Sequence, residues 1–126
     1  MVPTELRYTK DHEWVRVEGD TVTVGITAYA ANQLGDVVFV ELPDAGRTIG
    51  QHMTFGVVES VKAVSDLFAP VEGEVIAAND DLAGSPELVN RDPFGAGWMI
   101  RVRVADAGQL EGLLDAAAYE RLIAQG

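Results

Sequence analysis

Turn residues break this chain into short pieces. Gly19-Asp20, Pro43-Asp44 with Gly46, Pro70 to Gly73 and the Asn-, Asp-, Gly- and Pro-rich run 79–97 each punctuate extended, β-branched segments. Pieces that short exclude long helices, and their Val, Ile, Thr and aromatic content favours strands. Residues 13–18 and 21–26 read as a hairpin turning at Gly19-Asp20. Residues 36–42 form a strand, 54–61 and 63–69 are extended, and Glu74–Ala78 is a short strand. Trp98–Val104 alternates Met99, Arg101 and Arg103 against Ile100, Val102 and Val104. By turn chemistry nothing interrupts residues 55–69, because Val61-Lys62-Ala63 offers no Gly, Asn or Pro.

Helices are minor. Thr27 caps a short helix over Ala28–Leu34 that Gly35 ends. Helical turns are expected around Asp81–Ala83 and Pro86–Val89. Asp106 with Gln109 forms a capping-box-like pair, followed by Leu110, Leu113 and Leu114 at helical spacing. Asp115 then opens a last helix whose apolar face holds Leu122 and Ile123. Roughly seven or eight strands with turns every 8–12 residues, then C-terminal helices, predict a mainly β sandwich or barrel. With 126 residues, positions 1–126 make a single domain with room for a core. Trp14 and Trp98 are expected inside it.

Chemistry is constrained by what is missing. The chain has no cysteine, so disulfides, thiol nucleophiles and Cys-ligated metals are excluded. Nine basic against twenty acidic residues give a net charge of −11, which repels phosphates and anionic membranes. No nucleic acid or membrane partner is expected, whereas basic patches on proteins are suitable partners. Residues 1–20 carry charges throughout, without the apolar run of a signal peptide, and a cytoplasmic location is expected. His12-Glu13 is half of a zincin motif, but Arg16 stands where the second His belongs. Asp80, Asp81 and Asp92 lack calcium-loop spacing, and Gly95-Ala96-Gly97 lacks a dinucleotide fingerprint. No catalytic constellation survives, and a hydrolase triad would need spatial coincidence. Only two lysines remain to explain. Lys10 lies among charges, whereas Lys62 lies in the mostly apolar Val57–Val64, where an edge-strand or snorkelling lysine is the plain reading.

Glu59-Ser60-Val61-Lys62-Ala63, followed by Ala69-Pro70-Val71-Glu72-Gly73-Glu74-Val75, resembles the lipoyl-lysine region of the glycine cleavage system H protein family. Tyr8–Val15, Val24–Thr27, Leu34–Pro43, Phe55–Val58, Pro86–Asn90, Asp92–Gly95 with Gly97-Trp98, and Leu113–Asp115 are similar too. The resemblance runs from about Leu6 to Leu122. It implies a barrel-sandwich hybrid of the lipoyl-domain type, with Lys62 at a tight hairpin tip that the residues alone do not reveal. It implies a carrier without catalytic residues of its own, bearing one lipoate in amide linkage on Lys62.

The implied partners are glycine decarboxylase, aminomethyltransferase, dihydrolipoamide dehydrogenase and the lipoylating enzymes. Pyridoxal phosphate, tetrahydrofolate, FAD and NAD would belong to those partners. A monomer is expected, because the carrier visits several enzymes. Glu59, Ser60 and Asp66 are candidates for recognition around the hairpin, and Glu13 for the cleft that shelters the loaded arm. A carboxylate there suits an ammonium. Gly56 matches a family glycine and is expected to serve backbone geometry. Ala28, Gln33, Gln51-His52 and Ala118 depart from residues common in the family. Two other carriers compete: a lipoyl or octanoyl relay to other lipoate-dependent proteins, and a biotin carrier, which Val61 and Ala63 disfavour because its lysine usually lies between methionines.

Overall fold

The computed structural model describes residues 2–125. Its elements run β1 (Arg7–Tyr8), β2 (Glu13–Glu18), β3 (Thr21–Ile26), α1 (Ala28–Leu34), β4 (Val37–Glu41), β5 (Thr48–Ile49) and β6 (Thr54–Ser60). They continue β7 (Val64–Phe68), β8 (Gly73–Ala78), α2 (Asp81–Gly84), α3 (Leu88–Arg91), β9 (Ile100–Val104), α4 (Gly108–Glu111) and α5 (Ala116–Gln125). The strands form a six-stranded sheet, β1-β2-β3-β9-β8-β5, and a three-stranded sheet, β4-β6-β7, antiparallel at every pair. The fold is mainly β with short helices, as the segmentation predicts. The two-residue strands β1 and β5 are too short to leave an alternation in the sequence.

Strand alternation builds the core. Val40, Val58 and Leu67 of the small sheet join Val24, Val75, Ile100 and Val102 of the large one in a single buried cluster. Burying such side chains supplies about 1.5–3 kcal/mol each. A second cluster seats α5 on β1 and β2 through Leu6, Tyr8, Trp14, Ala116 and Tyr119. The Tyr8 and Tyr119 rings stack with centroids 4.6 Å apart.

The C-terminal region corrects the expectation in two places. Asp106 accepts from the Gly108 amide (3.0 Å), but Gln109 turns away to accept from the Glu72 amide (2.7 Å), so no capping box forms. α4 is a single turn, and Leu113 and Leu114 lie beyond it. Leu114 instead exchanges two backbone hydrogen bonds with Tyr8, at 2.8 and 2.7 Å. Asp115 caps α5 as expected, through the Ala118 amide (2.8 Å), and Leu122 and Ile123 pack against the same cluster as its buried anchors Ala116 and Tyr119. Trp14 is fully buried, whereas Trp98 is half-buried beneath the Arg101 guanidinium, 5.2 Å from its ring centroid.

Gly56 is required by a close approach. A Cβ there would stand 2.2 Å from the Glu41 carbonyl oxygen, where β4 pairs with β6. Thr27 caps α1 through the Ala30 amide, and Gly35 ends it at φ 80°. The connection from α1 into β4 is then clamped from α3. Asn90 Oδ1 accepts from the Val37 amide (2.8 Å), while its Nδ2 donates to the carbonyls of Gly35 (2.8 Å) and Ala31 (3.5 Å). Val37 is buried, so removing the acceptor strands an amide with no access to water. Asn90→Ala is expected to cost about 1–3 kcal/mol in chemical denaturation and to speed amide exchange at Val37. Unchanged exchange there would show that the clamp is not closed in solution.

Candidate functional site

β6 and β7 pair from Thr54↔Phe68 to Glu59↔Val64, so residues 55–69 are a hairpin and not one strand. The Ser60 amide donates to the Ala63 carbonyl (2.8 Å), leaving Val61-Lys62 as a two-residue tip. Ser60 replaces the missing turn residue. Its Oγ accepts from the amides of Ala63 (3.1 Å) and Lys62 (3.3 Å), a side-chain mimic of a backbone turn. That hydroxyl was the one signal in the sequence that could have placed the turn.

The tip is held from outside as well. The Val61 amide donates to the Asp36 carbonyl (3.0 Å), in the connection that Asn90 clamps. Lys62 is exposed, and its stem runs past Gly35, where a Cβ would lie 3.5 Å from the Lys62 Cε. Glu59 faces Val64 across the hairpin, and Asp66 faces Val57. Ser60 thus touches the Lys62 backbone, while Glu59 and Asp66 lie further down the two strands that carry the tip.

Beside the hairpin lies a cleft of ≈ 340 Å³, bounded by Tyr29 and Gln33 of α1, Ser65 and Asp66 of β7, and His12 and Glu13. Glu13 is 2% exposed. Its Oε1 accepts from the Thr9 hydroxyl (2.6 Å) and its Oε2 from the Phe68 amide (3.2 Å). Burial pushes its carboxyl up to about 7, against the pull of both hydrogen bonds and with a further push from Asp11. The same carboxyl borders a second recess of ≈ 230 Å³ with Gln51, His52 and Pro70.

Next to Glu13, His12 adopts a left-handed φ of 70°. Its Nδ1 lies 2.9 Å from the Tyr119 hydroxyl, which lies 2.7 Å from Thr27 Oγ1. Burial lowers the His12 pKa, opposed by Asp11, and pushes the Tyr119 hydroxyl up to about 12. The sequence does not reveal Thr9 or Tyr119 here, nor the second contact that the capping Thr27 makes with Tyr119. Tyr119 lies 107 residues from His12, and no local pattern links them.

Among the described residues no three His, Asp or Glu side chains cluster as metal ligands. Among the described residues no helix is long and apolar enough to cross a membrane.

Comparison with known proteins agrees with this geometry. Residues 6–126 match the family described as Glycine cleavage H-protein. The glycine cleavage system H protein of Magnetococcus marinus is 63% identical over 118 residues, covering 94% of this chain and 84% of that protein. That of Phenylobacterium zucineum is 58% identical, covering 94% and 98%. The crystal structure of a glycine cleavage system H protein from Mycobacterium marinum superposes with a TM-score of 0.90 at 39% identity, covering 98% and 99%. The chain belongs to the glycine cleavage H-protein family, the lipoyl carriers of the glycine cleavage system.

Proposed function

We propose that this chain carries lipoate in amide linkage on Lys62. On this reading it takes the aminomethyl group of glycine from glycine decarboxylase to aminomethyltransferase, and dihydrolipoamide dehydrogenase then restores it. The observation that carries the reading is an exposed lysine at a two-residue tip, closed by Ser60 and pinned to Asp36. A tethered group reaches several partners efficiently only from a fixed, exposed root. Within Thr54–Phe68, Lys62 is the sole basic residue, so one amine is presented for acylation.

Attachment consumes an activated lipoyl donor such as an acyl adenylate. The Lys62 Nζ, freed of its ammonium proton, attacks the acyl carbon and expels the nucleotide, and a second proton leaves as the amide forms. Formal charge then goes from −11 (9 − 20) to −12 (8 − 20). Bound lipoate supplies the disulfide and dithiol chemistry that a chain without cysteine cannot. The chain's part is to root and shelter it. The cleft offers Glu13, a buried carboxylate with no ion-pair partner among the described residues, which suits an entering ammonium. Pyridoxal phosphate, tetrahydrofolate, FAD and NAD stay with the partner enzymes.

Intact mass and peptide mapping test the attachment. Protein made in lipoate-competent cells should carry one lipoyl adduct on Lys62, and Lys62→Arg should carry none. A biotin adduct, or none after treatment with a lipoate ligase, would sink the reading.

A second expectation concerns pH. The folded Glu13 carboxyl sits near 7, against an ordinary 4.5. Between those values the native state binds the extra proton, so stability present below about 4.5 is lost as pH rises through about 7. The full shift corresponds to on the order of 3 kcal/mol. His12 works the other way, because its lowered pKa costs stability as pH falls below 6.5. The stability difference between wild type and Glu13→Gln, followed by denaturation across pH 4–8, isolates the Glu13 slope. A cation entering the cleft favours ionised Glu13, so its retention should strengthen as pH rises through about 7. A carbon NMR titration of Glu13 with a midpoint near 4.5 would refute both statements.

A further inference from the structure

A network of buried hydrogen bonds backs the cleft. The Tyr119 hydroxyl lies 2.9 Å from His12 Nδ1 and 2.7 Å from Thr27 Oγ1. Tyr119 is 0% and Thr27 1% exposed, so water cannot complete their hydrogen bonds. Counting protons then fixes the direction of the network. Thr27 Oγ1 already accepts from the Ala30 amide (3.2 Å), and among the described residues its own proton has only the Tyr119 oxygen to go to. Thr27 therefore donates to Tyr119, and the Tyr119 proton goes to His12 Nδ1. The reverse direction would bury the Thr27 proton without an acceptor, at a cost. A neutral imidazole whose Nδ1 accepts carries its proton on Nε2. Among the described residues Nε2 has no partner, yet no buried side-chain nitrogen or oxygen lacks one, so Nε2 is open, on a ring that lines the cleft. The segment is held on both sides: the His12 amide donates to the Thr9 carbonyl (3.1 Å), and its carbonyl accepts from the Thr27 amide (3.0 Å).

We infer that Tyr119 is a positioning residue of the cleft: backed by Thr27, it holds His12 as the neutral tautomer that offers an Nε2–H donor in the same cleft as the Glu13 acceptor. This role rests on the lipoyl-carrier reading and deepens it. An acceptor and an uncharged donor together suit a group that carries an ammonium and a sulfur lone pair, as an aminomethylated lipoyl arm does. An imidazolium in that place would repel the ammonium. It would also require Nδ1–H to donate to Tyr119, which reverses the network and buries the Thr27 proton. Burial of the ring acts in the same sense, opposed by Asp11. The titratable groups around the ring are Asp11 and Glu13 beside it, Tyr29 of α1, Asp66 of β7 and Tyr119 of α5, and none of them is basic.

Proton–nitrogen NMR correlation of the imidazole rings in the unmodified, nitrogen-labelled full chain reads the tautomer. With two histidines in the chain, His52→Gln assigns the signals. His12 is expected to be protonated on Nε2 at neutral pH. Tyr119→Phe keeps the ring that stacks on Tyr8 but removes the donor, so the His12 nitrogen shifts should move toward the average of both tautomers. Thr27→Ser, which keeps the hydroxyl, should match the wild type. A wild-type ring that is protonated on Nδ1 or averaged overturns the inference, as does a Tyr119→Phe ring identical to wild type. Thermal melts check folding, and if Tyr119→Phe fails to fold the wild-type tautomer decides alone. In the lipoylated, loaded chain, water slowly converts the S-aminomethyl group to thiol, formaldehyde and ammonia. Tyr119→Phe should release formaldehyde about threefold faster or more, the effect of losing one weak hydrogen bond. An equal rate overturns the role of the donor. If the wild type is not acylated on Lys62, the carrier reading and this role fall together, whereas the wrong tautomer sinks only the role of Tyr119.

Discussion

A swinging carrier depends on a root that does not swing. On the proposed reading the root is two residues, Val61 and Lys62, and its rigidity comes from polar contacts because the tip has no apolar interior to sit on. Ser60 supplies one contact from inside the turn, and the Asp36 carbonyl supplies another from the neighbouring connection. That carbonyl is held in turn because Asn90 grips the residues on both sides of it, Gly35 and Val37. Three segments distant in sequence thus converge on one exposed lysine. The hairpin itself stands on Gly56, where any side chain would collide with β4. Stiffness here arises from hydrogen bonds placed end to end, each worth about 1 kcal/mol.

The cleft obeys the opposite logic. Its carboxylate is buried against its own preference for water, and only two hydrogen bonds compensate. Burial therefore keeps Glu13 close to the point where it holds or releases a proton at neutral pH. Across the wall, His12 is held neutral by burial and oriented by Tyr119, which Thr27 steadies. The strained backbone of His12 is the cost of turning the chain into β2 so that Glu13 points inward. A charged visitor would find a carboxylate already in position, with little reorganisation left to do.

How much of this was legible in the sequence differs from element to element. The hairpin of β2 and β3, the helix α1 with its Thr27 cap, and the strand pattern of β8 and β9 follow from periodicity and turn residues. The turn at Val61-Lys62 does not, because Ser60 builds it with a side chain that turn statistics weigh lightly. Gln109 defeats the capping-box expectation, since a carboxamide is drawn to whichever backbone group lies nearest, and that was Glu72 from another loop. Leu114 pairs with Tyr8 instead of extending a helix, because a strand edge was available. Lys62 itself was conspicuous only as an isolated cation, and its meaning came from resemblance. The local rules describe segments, while the clamp of Asn90 and the contact of Tyr119 with His12 are properties of the closed fold.

Charge gives the molecule a direction. On the large sheet, register aligns Arg16, Thr23 and Arg101 in one row, and the two arginines flank a threonine that is only 3% exposed. Arg16 lies 5.0 Å from the Trp14 ring centroid and Arg101 lies 5.2 Å from that of Trp98, so both guanidiniums serve as cover for aromatic surface. Arg103 meets Glu74 at 3.0 Å in an exposed pair that adds little stability. With Arg7 of β1, four of nine basic residues are thus placed on the large sheet, while the three strands of the small sheet carry none. The proposed acylation of Lys62 would remove the one positive charge of the hairpin and sharpen this asymmetry. An approaching basic surface is therefore steered toward the tip, and more strongly so after the modification than before it.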